Sequence, residues 1–407
     1  MIRDKIFKVS LVIIILLVIV QLLVGFVFNN PQMIKSRTNT SKISPQKLFD
    51  RTWREVEKGF YDKSLNSQDW DYWREHYRGE IHTNADAKVA IDTMLASLDD
   101  EYSRYLNKKD YASQSSSIDS KITGIGVTIV NKSGKIIVHG VVDNTPAKKA
   151  GIKAEDVIIK VGDKCVSGMN VSDVASLVRG KIDTSVTLEL NRDGKILTKT
   201  ILREEIKIDS VKSFVKKDVG YIQILSFIGT STTKEFLSAL DKTKESKGLI
   251  VDLRGNTGGL LANAVFIANV FLENGTIVKI VPRNGVVEKI NVHNSFLHIE
   301  KPVVLLVDGM SASASEILSG ALKDHQKAVL VGTKTFGKGM VQRIIPLPNS
   351  TGLNLTIAKY LTPNGSDINE KGITPDYVVK MSEQDFRHHR DPQMKKAEKV
   401  LNKLIHN

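Results

Sequence analysis

One segment restricts the possible folds more than any other: an apolar run, then a turn of small residues, then a helical pattern. The run at residues 301–308 ends in Asp-Gly and predicts a buried strand, and the apolar spacing at residues 314–322 predicts a helix. Ser313, in the sequence Ser-Ala-Ser-Ala-Ser-Glu at residues 311–316, therefore lies where a strand passes into a helix. The first N–H groups of a helix lack intrahelical partners and favour negative charge, so they would stabilise an anion beside this hydroxyl.

A second turn, Thr-Phe-Gly-Lys-Gly at residues 335–339, holds Lys338 between two glycines that permit close approach of the backbone. An ammonium cannot accept a proton, so a lysine base has to be kept neutral, which burial in an apolar pocket achieves. Together the two turns suit a hydrolase with a serine nucleophile and a lysine base. Taken singly, the serine run is more typical of a helix N-cap, and the lysine turn is more typical of an exposed loop.

The two turns resemble the catalytic motifs of the carboxyl-terminal processing peptidases, also called tail-specific proteases. Ser313 and Lys338 are 338 − 313 = 25 positions apart, and Gln342 follows the lysine by 342 − 338 = 4 positions. The resemblance implies a Ser313–Lys338 dyad in a crotonase-like α/β core, with Gln342 orienting the lysine and with no metal or cofactor. It selects Ser313 among the serines of its turn and leaves Ser311 and Ser315 as structural residues.

The segment at residues 248–259 is also similar to the family, because an apolar strand runs into Asp-Leu-Arg and then a double glycine. The resemblance implies that the N–H of Gly258 or Gly259, with that of Ala314, binds the oxyanion. Which glycine donates stays open. Two further residues are expected to brace the turn: Asp252 and Arg254.

Residues 121–203 combine short strand patterns with Gly-Ile-Gly-Val at 124–127 and Pro-Ala-x-x-Ala-Gly at 146–151, an order similar to a PDZ domain. Such domains add an extended peptide to a sheet edge and hold its terminal carboxylate in backbone N–H groups. The resemblance assigns that loop to Gly124, Ile125, Gly126 and Val127.

A helical pattern at residues 172–180 is expected to flank the peptide groove, with Val174 and Val178 lining it. Arg179 stands where an arginine of some relatives couples peptide occupancy to an ordered dyad. A solvated charge at a helix end is the alternative for this residue.

Residues 9–28 contain no charge, and 20 residues at about 1.5 Å each cross a hydrocarbon layer of roughly 30 Å. Arg3, Lys5 and Lys8 precede this run, and no clear small-x-small cleavage site follows it. An uncleaved signal anchor is therefore predicted, with the N-terminus in the cytoplasm and the rest of the chain on the extracytoplasmic side.

The predicted fold class is a multidomain α/β chain in which a PDZ module interrupts the peptidase core. Its predicted parts are a cytoplasmic N-terminus (1–8), a transmembrane anchor (9–28), a linker (29–43), a small helical domain (44–112), the PDZ domain (118–204), the peptidase core (205–382) and a basic C-terminal helix or tail (383–407). Within the last part, residues 387–403 are expected to form an exposed helix. A content of 41% apolar and 25% charged residues is ordinary for globular domains.

The formal charge of +13 does not indicate nucleic-acid binding, because the lysines are spread along the chain without a nucleic-acid-binding motif. The nine histidines show no metal-ligand spacing. The expected partners are protein or peptide substrates with a free C-terminus and the membrane. A homodimer or a regulatory partner is left open.

These patterns predict a membrane-anchored serine endopeptidase that recognises C-terminal or exposed apolar tails through its PDZ domain and cleaves them. Two alternatives remain. One is a membrane-tethered PDZ scaffold in which the dyad is never aligned, and the other is a serine hydrolase that depends on a histidine.

Overall fold

The computed structural model describes residues 41–118, 121–207, 209–293, 297–388 and 390–406. The predicted anchor at residues 9–28 lies outside these ranges, and none of the helices within them combines the length and the apolar character of a membrane span. The chain forms two compact units, of which residues 116–209 are one and the residues before and after them are the other. The smaller unit therefore interrupts the larger one in sequence.

The larger unit begins with helices whose aromatic side chains are buried. Its first elements are α1 (Pro45–Gly59), α2 (Trp70–His76), α3 (Asn84–Ala96), β1 (Arg104–Leu106) and α4 (Lys108–Ile118). Trp53 and Trp70 are 4% and 6% exposed, and each indole N–H donates to the carbonyl oxygen of the other residue, at 2.8 and 3.3 Å. Buried indoles that find such partners are stabilising core residues.

The unit of residues 116–209 is mainly antiparallel sheet. Its elements are β2 (Lys121–Gly124), β3 (Val127–Lys132), β4 (Lys135–Val141), α5 (Pro146–Lys149), β5 (Val157–Val161), β6 (Lys164–Cys165), α6 (Val171–Val178), β7 (Ser185–Arg192), β8 (Lys195–Leu202) and β9 (Glu204–Lys207). The main sheet has the order β3-β4-β5-β7-β8, and β2 pairs with β9. Strand β3 is thus an edge strand with one side unpaired within this sheet.

The rest of the larger unit is built on a second run of strands and helices. They are β10 (Val211–Lys216), β11 (Val219–Ile224), α7 (Thr232–Lys242), β12 (Gly248–Asp252), α8 (Leu261–Phe271), β13 (Thr276–Pro282), β14 (Glu288–Asn291), β15 (Val303–Val307), α9 (Ala314–Asp324), β16 (Ala328–Gly332), β17 (Met340–Leu347), β18 (Thr351–Leu361), β19 (Tyr377–Val378), α10 (Glu383–Arg387) and α11 (Pro392–Ile405).

A six-stranded sheet with the order β10-β11-β12-β15-β16-β19 forms the centre of the larger unit. All its pairs are parallel except β10 with β11. Every residue of β12 and β15 is buried, as expected for parallel strands that are covered on both faces. The loops that follow these two neighbouring strands leave from the same edge of the sheet, which is where α/β folds place their sites.

A second sheet is organised around β18, which pairs with β1, β13 and β17, while β14 pairs with β13. Leu347, Leu353 and Leu355 of this sheet share one hydrophobic core with the side chains of α1 and α3. The predicted helical domain at residues 44–112 is therefore continuous with the core of the larger unit and is not a separate unit.

The C-terminal helix corrects one prediction. The basic segment at residues 387–403 is expected to be exposed, yet Ala397, Val400 and Leu401 of α11 are 0–8% exposed. They pack on β11, β12, β15 and β16, on the face opposite α8 and α9. The lysines of α11 lie on its outer face, and its apolar stripe covers the central sheet. The basic composition of the segment alone did not indicate this stripe.

Candidate active site

Ser313 occupies a strained backbone position between β15 and α9. Its φ of 56° and ψ of −114° lie outside the regions that residues with a side chain usually adopt. Ala312 and Ala314 are 6% and 1% exposed, whereas Ser313 is only half-buried. Strain of this kind is often held at functional sites, and a sharp strand-to-helix turn presents the side chain outward. The predicted place of Ser313, where a strand passes into a helix, is confirmed.

Glu316 ties the serine turn to the lysine turn. Its side chain is 0% exposed. One carboxylate oxygen accepts the N–H groups of Ser313 and Lys338, both at 2.9 Å. The other accepts the Gly337 N–H at 2.7 Å and the Thr335 hydroxyl at 2.6 Å. Four donors compensate the cost of burying this charge, and they fix the two turns to a single group.

Tyr360 of β18 joins the same two turns through their carbonyl groups. Its side chain is 2% exposed, and its hydroxyl contacts the carbonyl oxygen of Ser313 at 3.1 Å and that of Lys338. Burial raises the pKa of Tyr360 well above its ordinary value, so the hydroxyl stays protonated and remains a donor. Glu316 therefore accepts backbone N–H groups of both turns, and Tyr360 contacts a backbone carbonyl oxygen of each.

Neither of the other two serines in the run is free to react. Ser311 and Ser315 are 0% exposed. Their hydroxyls donate to the carbonyl oxygens of Leu253 and Asn256, both at 2.8 Å. These bonds attach the serine turn to the loop after β12, which is the structural role predicted for both serines.

The loop after β12 carries the two glycines whose N–H groups are expected to bind the oxyanion. The Gly258 N–H already donates to the Asn256 side chain at 2.9 Å, and Asn256 is itself 0% exposed. Within the described ranges, no acceptor takes the N–H of Gly259 or of Ala314. The N–H groups of Gly259 and Ala314 are therefore without an acceptor, whereas that of Gly258 is engaged, and the role of these groups as oxyanion donors stays a prediction.

The bracing role predicted for Asp252 and Arg254 is confirmed. The Arg254 guanidinium donates to both carboxylate oxygens of Asp252, at 2.8 to 3.2 Å. It also reaches Asp391 and Gln393 at 3.0 Å, at the start of α11. The C-terminal helix is thereby attached to the loop that carries the glycines.

Gly258 needs to be glycine because of the serine turn. A Cβ on it would lie 2.7 Å from the Ala312 carbonyl oxygen and 2.9 Å from the Ser313 Cβ. We expect Gly258→Ala to lower kcat about 10- to 100-fold, because a displacement of about 1 Å near the reacting atoms can cost that much. Steady-state kinetics on folded protein checks this.

The matched control is Gly255→Ala in the same loop. Gly255 also has a left-handed φ, of 71°, but a Cβ there meets no atom within 4 Å. This variant should lose about 1–2 kcal/mol of stability from strain and keep its kcat. Equal losses of kcat in the two variants would contradict the contact between Gly258 and the nucleophile.

Lys338 directs its ammonium at an aromatic ring. Its Nζ lies 4.6 Å from the centroid of the Tyr102 ring. Burial lowers the pKa of Lys338, the charge of Arg104 lowers it further, and Asp100 opposes this effect. A lowered pKa favours the neutral amine that a base requires. Among the described residues, no hydrogen bond joins this amine to the Ser313 hydroxyl; the bonds of these two residues run through their backbones.

Among the described residues, no hydrogen bond joins Gln342 to Lys338, although the sequence predicts that its amide orients the lysine. Gln342 lies in β17, whose register with β18 shifts between Val341 and Gln342. Its Nε2 is buried without a hydrogen-bond partner. The Lys338 ammonium lies over the Tyr102 ring, and the orienting role of the Gln342 amide stays a prediction.

The residues predicted to bind peptides lie in the smaller unit. Gly124 to Val127 connect β2 with the edge strand β3, and Gly126 has a φ of 86° with the Thr145 side chain 2.4 Å from where a Cβ would be. Val174 and Val178 are 0% and 5% exposed and belong to the core of this unit. The structure thus shows these two valines buried in the core, whereas the sequence predicted that they line a groove.

Arg179 follows the last residue of α6, and its N–H bonds to the Ala175 carbonyl oxygen. The end of this helix is held by a different arginine. The Arg203 guanidinium donates to the carbonyl oxygens of Leu177 and Val178, at 3.1 and 2.8 Å. A cation at a helix C-terminus is stabilising there. The coupling role of Arg179 stays a prediction.

Three known protein families match successive parts of the chain. Peptidase family S41 matches residues 218–379, a PDZ domain matches residues 123–202, and the tricorn protease C1 domain matches residues 44–88. The carboxy-terminal processing protease CtpA of Bacillus subtilis (strain 168) is 35% identical over 375 residues, which cover 90% of this chain and 76% of that relative. The chain belongs to peptidase family S41. It is therefore a serine endopeptidase with a PDZ domain, and the family predicted from the two turns is confirmed.

Other relatives agree with this S41 assignment. The chloroplastic C-terminal processing peptidase of Tetradesmus obliquus is 32% identical over 356 residues, covering 82% of this chain and 77% of the relative. The solved structure of a photosystem II D1 C-terminal processing protease is 32% identical, with a TM-score of 0.59 over 83% of this chain and 94% of its own. This S41 peptidase thus shares both sequence and fold with that enzyme.

Proposed function

We propose that this S41 peptidase cleaves proteins near their C-termini, with Ser313 as the nucleophile and Lys338 as the general base. The observation that carries the proposal is the buried Glu316 carboxylate, which binds the N–H groups of both residues at 2.9 Å. It brings two turns that are far apart in sequence to one acceptor. The names of the relatives, carboxy-terminal processing proteases, support the choice of substrate.

The proposed reaction needs no group beyond these residues and water. Neutral Lys338 takes the hydroxyl proton as Ser313 Oγ attacks the scissile carbonyl carbon. The N–H groups of Gly259 and Ala314 bind the oxygen that becomes negative. As the tetrahedral intermediate collapses, the lysine ammonium gives its proton to the leaving amine. Water then attacks the acyl-enzyme with the lysine again as base, which releases the acid and restores the serine.

We further propose that the PDZ unit selects the free C-terminus of the substrate. Strand β3 has an unpaired edge within its sheet, which suits the addition of an extended peptide. Gly124, Ile125, Gly126 and Val127 form the connection that leads into this edge strand, where backbone N–H groups would meet a carboxylate.

The proposal also includes the membrane. The uncharged run at residues 9–28 and the basic residues before it support a single-pass anchor with the peptidase on the extracytoplasmic side. Such an anchor would restrict the enzyme to substrates that reach the same membrane face.

The test uses the full-length chain in detergent and an unstructured protein with an apolar C-terminus, supplied either with a free carboxylate or as the amide. We expect product masses that lack a C-terminal segment. The free carboxylate should be cleaved with a roughly tenfold higher kcat/KM, because a hydrogen bond to a charged group contributes about 1.5–3 kcal/mol.

Ser313→Ala is the control for the chemistry and should cleave neither substrate. Cleavage by this variant would remove Ser313 as the nucleophile. Equal kcat/KM for the acid and the amide would remove the loop at residues 124–127 from substrate recognition, whatever the fate of the dyad.

A further inference from the structure

The Lys338 ammonium lies over an aromatic ring, although its proposed role as base requires it at the Ser313 hydroxyl. Its Nζ lies 4.6 Å from the centroid of Tyr102, a half-buried residue that the sequence did not single out. A cation over the face of such a ring is attracted by the ring quadrupole, and a neutral amine is not. The contact therefore favours the protonated lysine, which cannot act as a base.

Hydrogen bonds hold the backbone that carries the Tyr102 ring. The Tyr102 carbonyl oxygen accepts a hydrogen bond from the Asn354 side chain at 3.1 Å, and the Tyr102 N–H donates to Asp100 at 3.3 Å. The next residue, Ser103, donates its N–H to Asp100 at 3.0 Å and accepts the Thr356 N–H at 3.0 Å. Strand β1 then pairs with β18, so Tyr102 is anchored to the same strand that carries Tyr360.

The charged groups around the lysine act in opposite directions. Arg104 and burial disfavour the ammonium, whereas Asp100 favours it, and Glu316 faces only the Lys338 N–H from α9. The ring and Asp100 thus both favour a cation that burial tends to neutralise. Loss of the proton ends the attraction and leaves the side chain free to move.

The buried Nε2 of Gln342 gives independent support for a second position of the lysine. It has no hydrogen-bond partner, and a buried polar group without a partner is costly. Such a group is more readily explained in a second arrangement of the site, in which the lysine has left the ring.

We propose that Tyr102 is a positioning residue that holds the Lys338 ammonium away from Ser313 in the resting enzyme. The base becomes active when the lysine leaves this ring for the hydroxyl. The proposal rests on the Ser313–Lys338 dyad proposed above, and it assigns to the ring the control of when, and at what pH, the dyad forms.

The test follows the phosphonylation of Ser313 by a small fluorophosphonate, as a function of pH, in the full-length chain. This reagent needs the base but not the PDZ unit. In Tyr102→Leu the midpoint of the rise in rate should move about half a pH unit lower, and the rate below the midpoint should rise about threefold, because the cation loses its ring. Tyr102→Phe, which keeps the ring, should retain the wild-type midpoint.

Two further variants separate this effect from a structural one. Tyr105→Leu removes an aromatic residue from the adjacent strand β1 and should leave the midpoint unchanged. Replacement of Tyr102 by 3,4,5-trifluorophenylalanine keeps the size of the ring but weakens its negative face, so it should lower the midpoint even if Tyr102→Leu fails to fold.

The outcomes are distinguishable. If Ser313 of the wild type is not phosphonylated, the proposed nucleophile is wrong, and the inference about Tyr102 is lost with it. If the wild type reacts but neither Tyr102→Leu nor the fluorinated ring moves the midpoint, the dyad survives and the role of Tyr102 is overturned. A uniform loss of rate at every pH would likewise reduce Tyr102 to a packing residue.

Discussion

Replacement of Lys338 by alanine should lower kcat roughly 10³- to 10⁴-fold while the protein stays folded. The backbone of the lysine turn is held by Glu316 and Tyr360 through main-chain atoms, which the substitution retains. The lost side chain contributes its contact with the Tyr102 ring, and the hydrogen bonds that hold the turn remain. Steady-state kinetics on the apolar-tailed substrate, with a thermal melt of the same sample, checks both parts.

Two variants sharpen the result. Lys338→Arg keeps a cation but remains protonated at every accessible pH, so it should be as inactive as the alanine variant. His325→Gln should keep most of the activity, because the His325 Nε2 is engaged 2.8 Å from the Thr276 carbonyl oxygen. A severe loss in His325→Gln together with an active Lys338→Ala would favour a histidine-dependent hydrolase.

The same assignment fixes the sign of the pH dependence. Below its pKa the lysine is an ammonium and cannot take the Ser313 proton, so kcat/KM should rise with pH through the pKa of Lys338. Burial and Arg104 place that pKa below the ordinary value of 10.5, so the rise should occur below pH 10.5. A fall of kcat/KM over this range would mean that the protonated form is the active one.

Local patterns were sufficient to predict the elements that position the nucleophile. The apolar run of β15, the small residues of the turn and the helical spacing of α9 are adjacent in sequence, and the structure places Ser313 where they indicate. Ser311 and Ser315 have the predicted structural role, because they belong to the same local turn. The Ser-x-x-Glu spacing from Ser313 to Glu316 is also a capping-box signature, and it was the one available signal for Glu316.

The contacts that join distant turns could not be predicted. Glu316 accepts from Thr335 and Lys338, which are 19 and 22 positions away, and no local period encodes such a pairing. The choice of Gly259 over Gly258 depends on where the Asn256 side chain points. The lysines of α11 suggested an exposed tail, although the spacing of Ala397, Val400 and Leu401 already described a helix with one apolar face.

Glu316→Gln should destabilise the larger unit by about 2–5 kcal/mol, because each buried donor left without an acceptor costs about 1–3 kcal/mol. Whichever way the new amide is turned, its NH₂ faces two donors. They are either the Ser313 and Lys338 N–H groups or the Gly337 N–H and the Thr335 hydroxyl. The turns would separate, so kcat of the folded fraction should fall about 10²-fold or more.

The matched control for Glu316→Gln is Asp156→Asn. Asp156 is also a 0% exposed carboxylate, held by the Arg192 guanidinium at 2.6 and 2.7 Å, but it lies in the unit of residues 116–209. This variant should weaken its own unit and leave the phosphonylation of Ser313 by a small reagent unchanged. Glu316→Gln should slow that phosphonylation, measured below the melting transition and normalised to folded protein. A wild-type rate in the folded Glu316→Gln variant would mean that the carboxylate stabilises the fold without setting the geometry of the dyad.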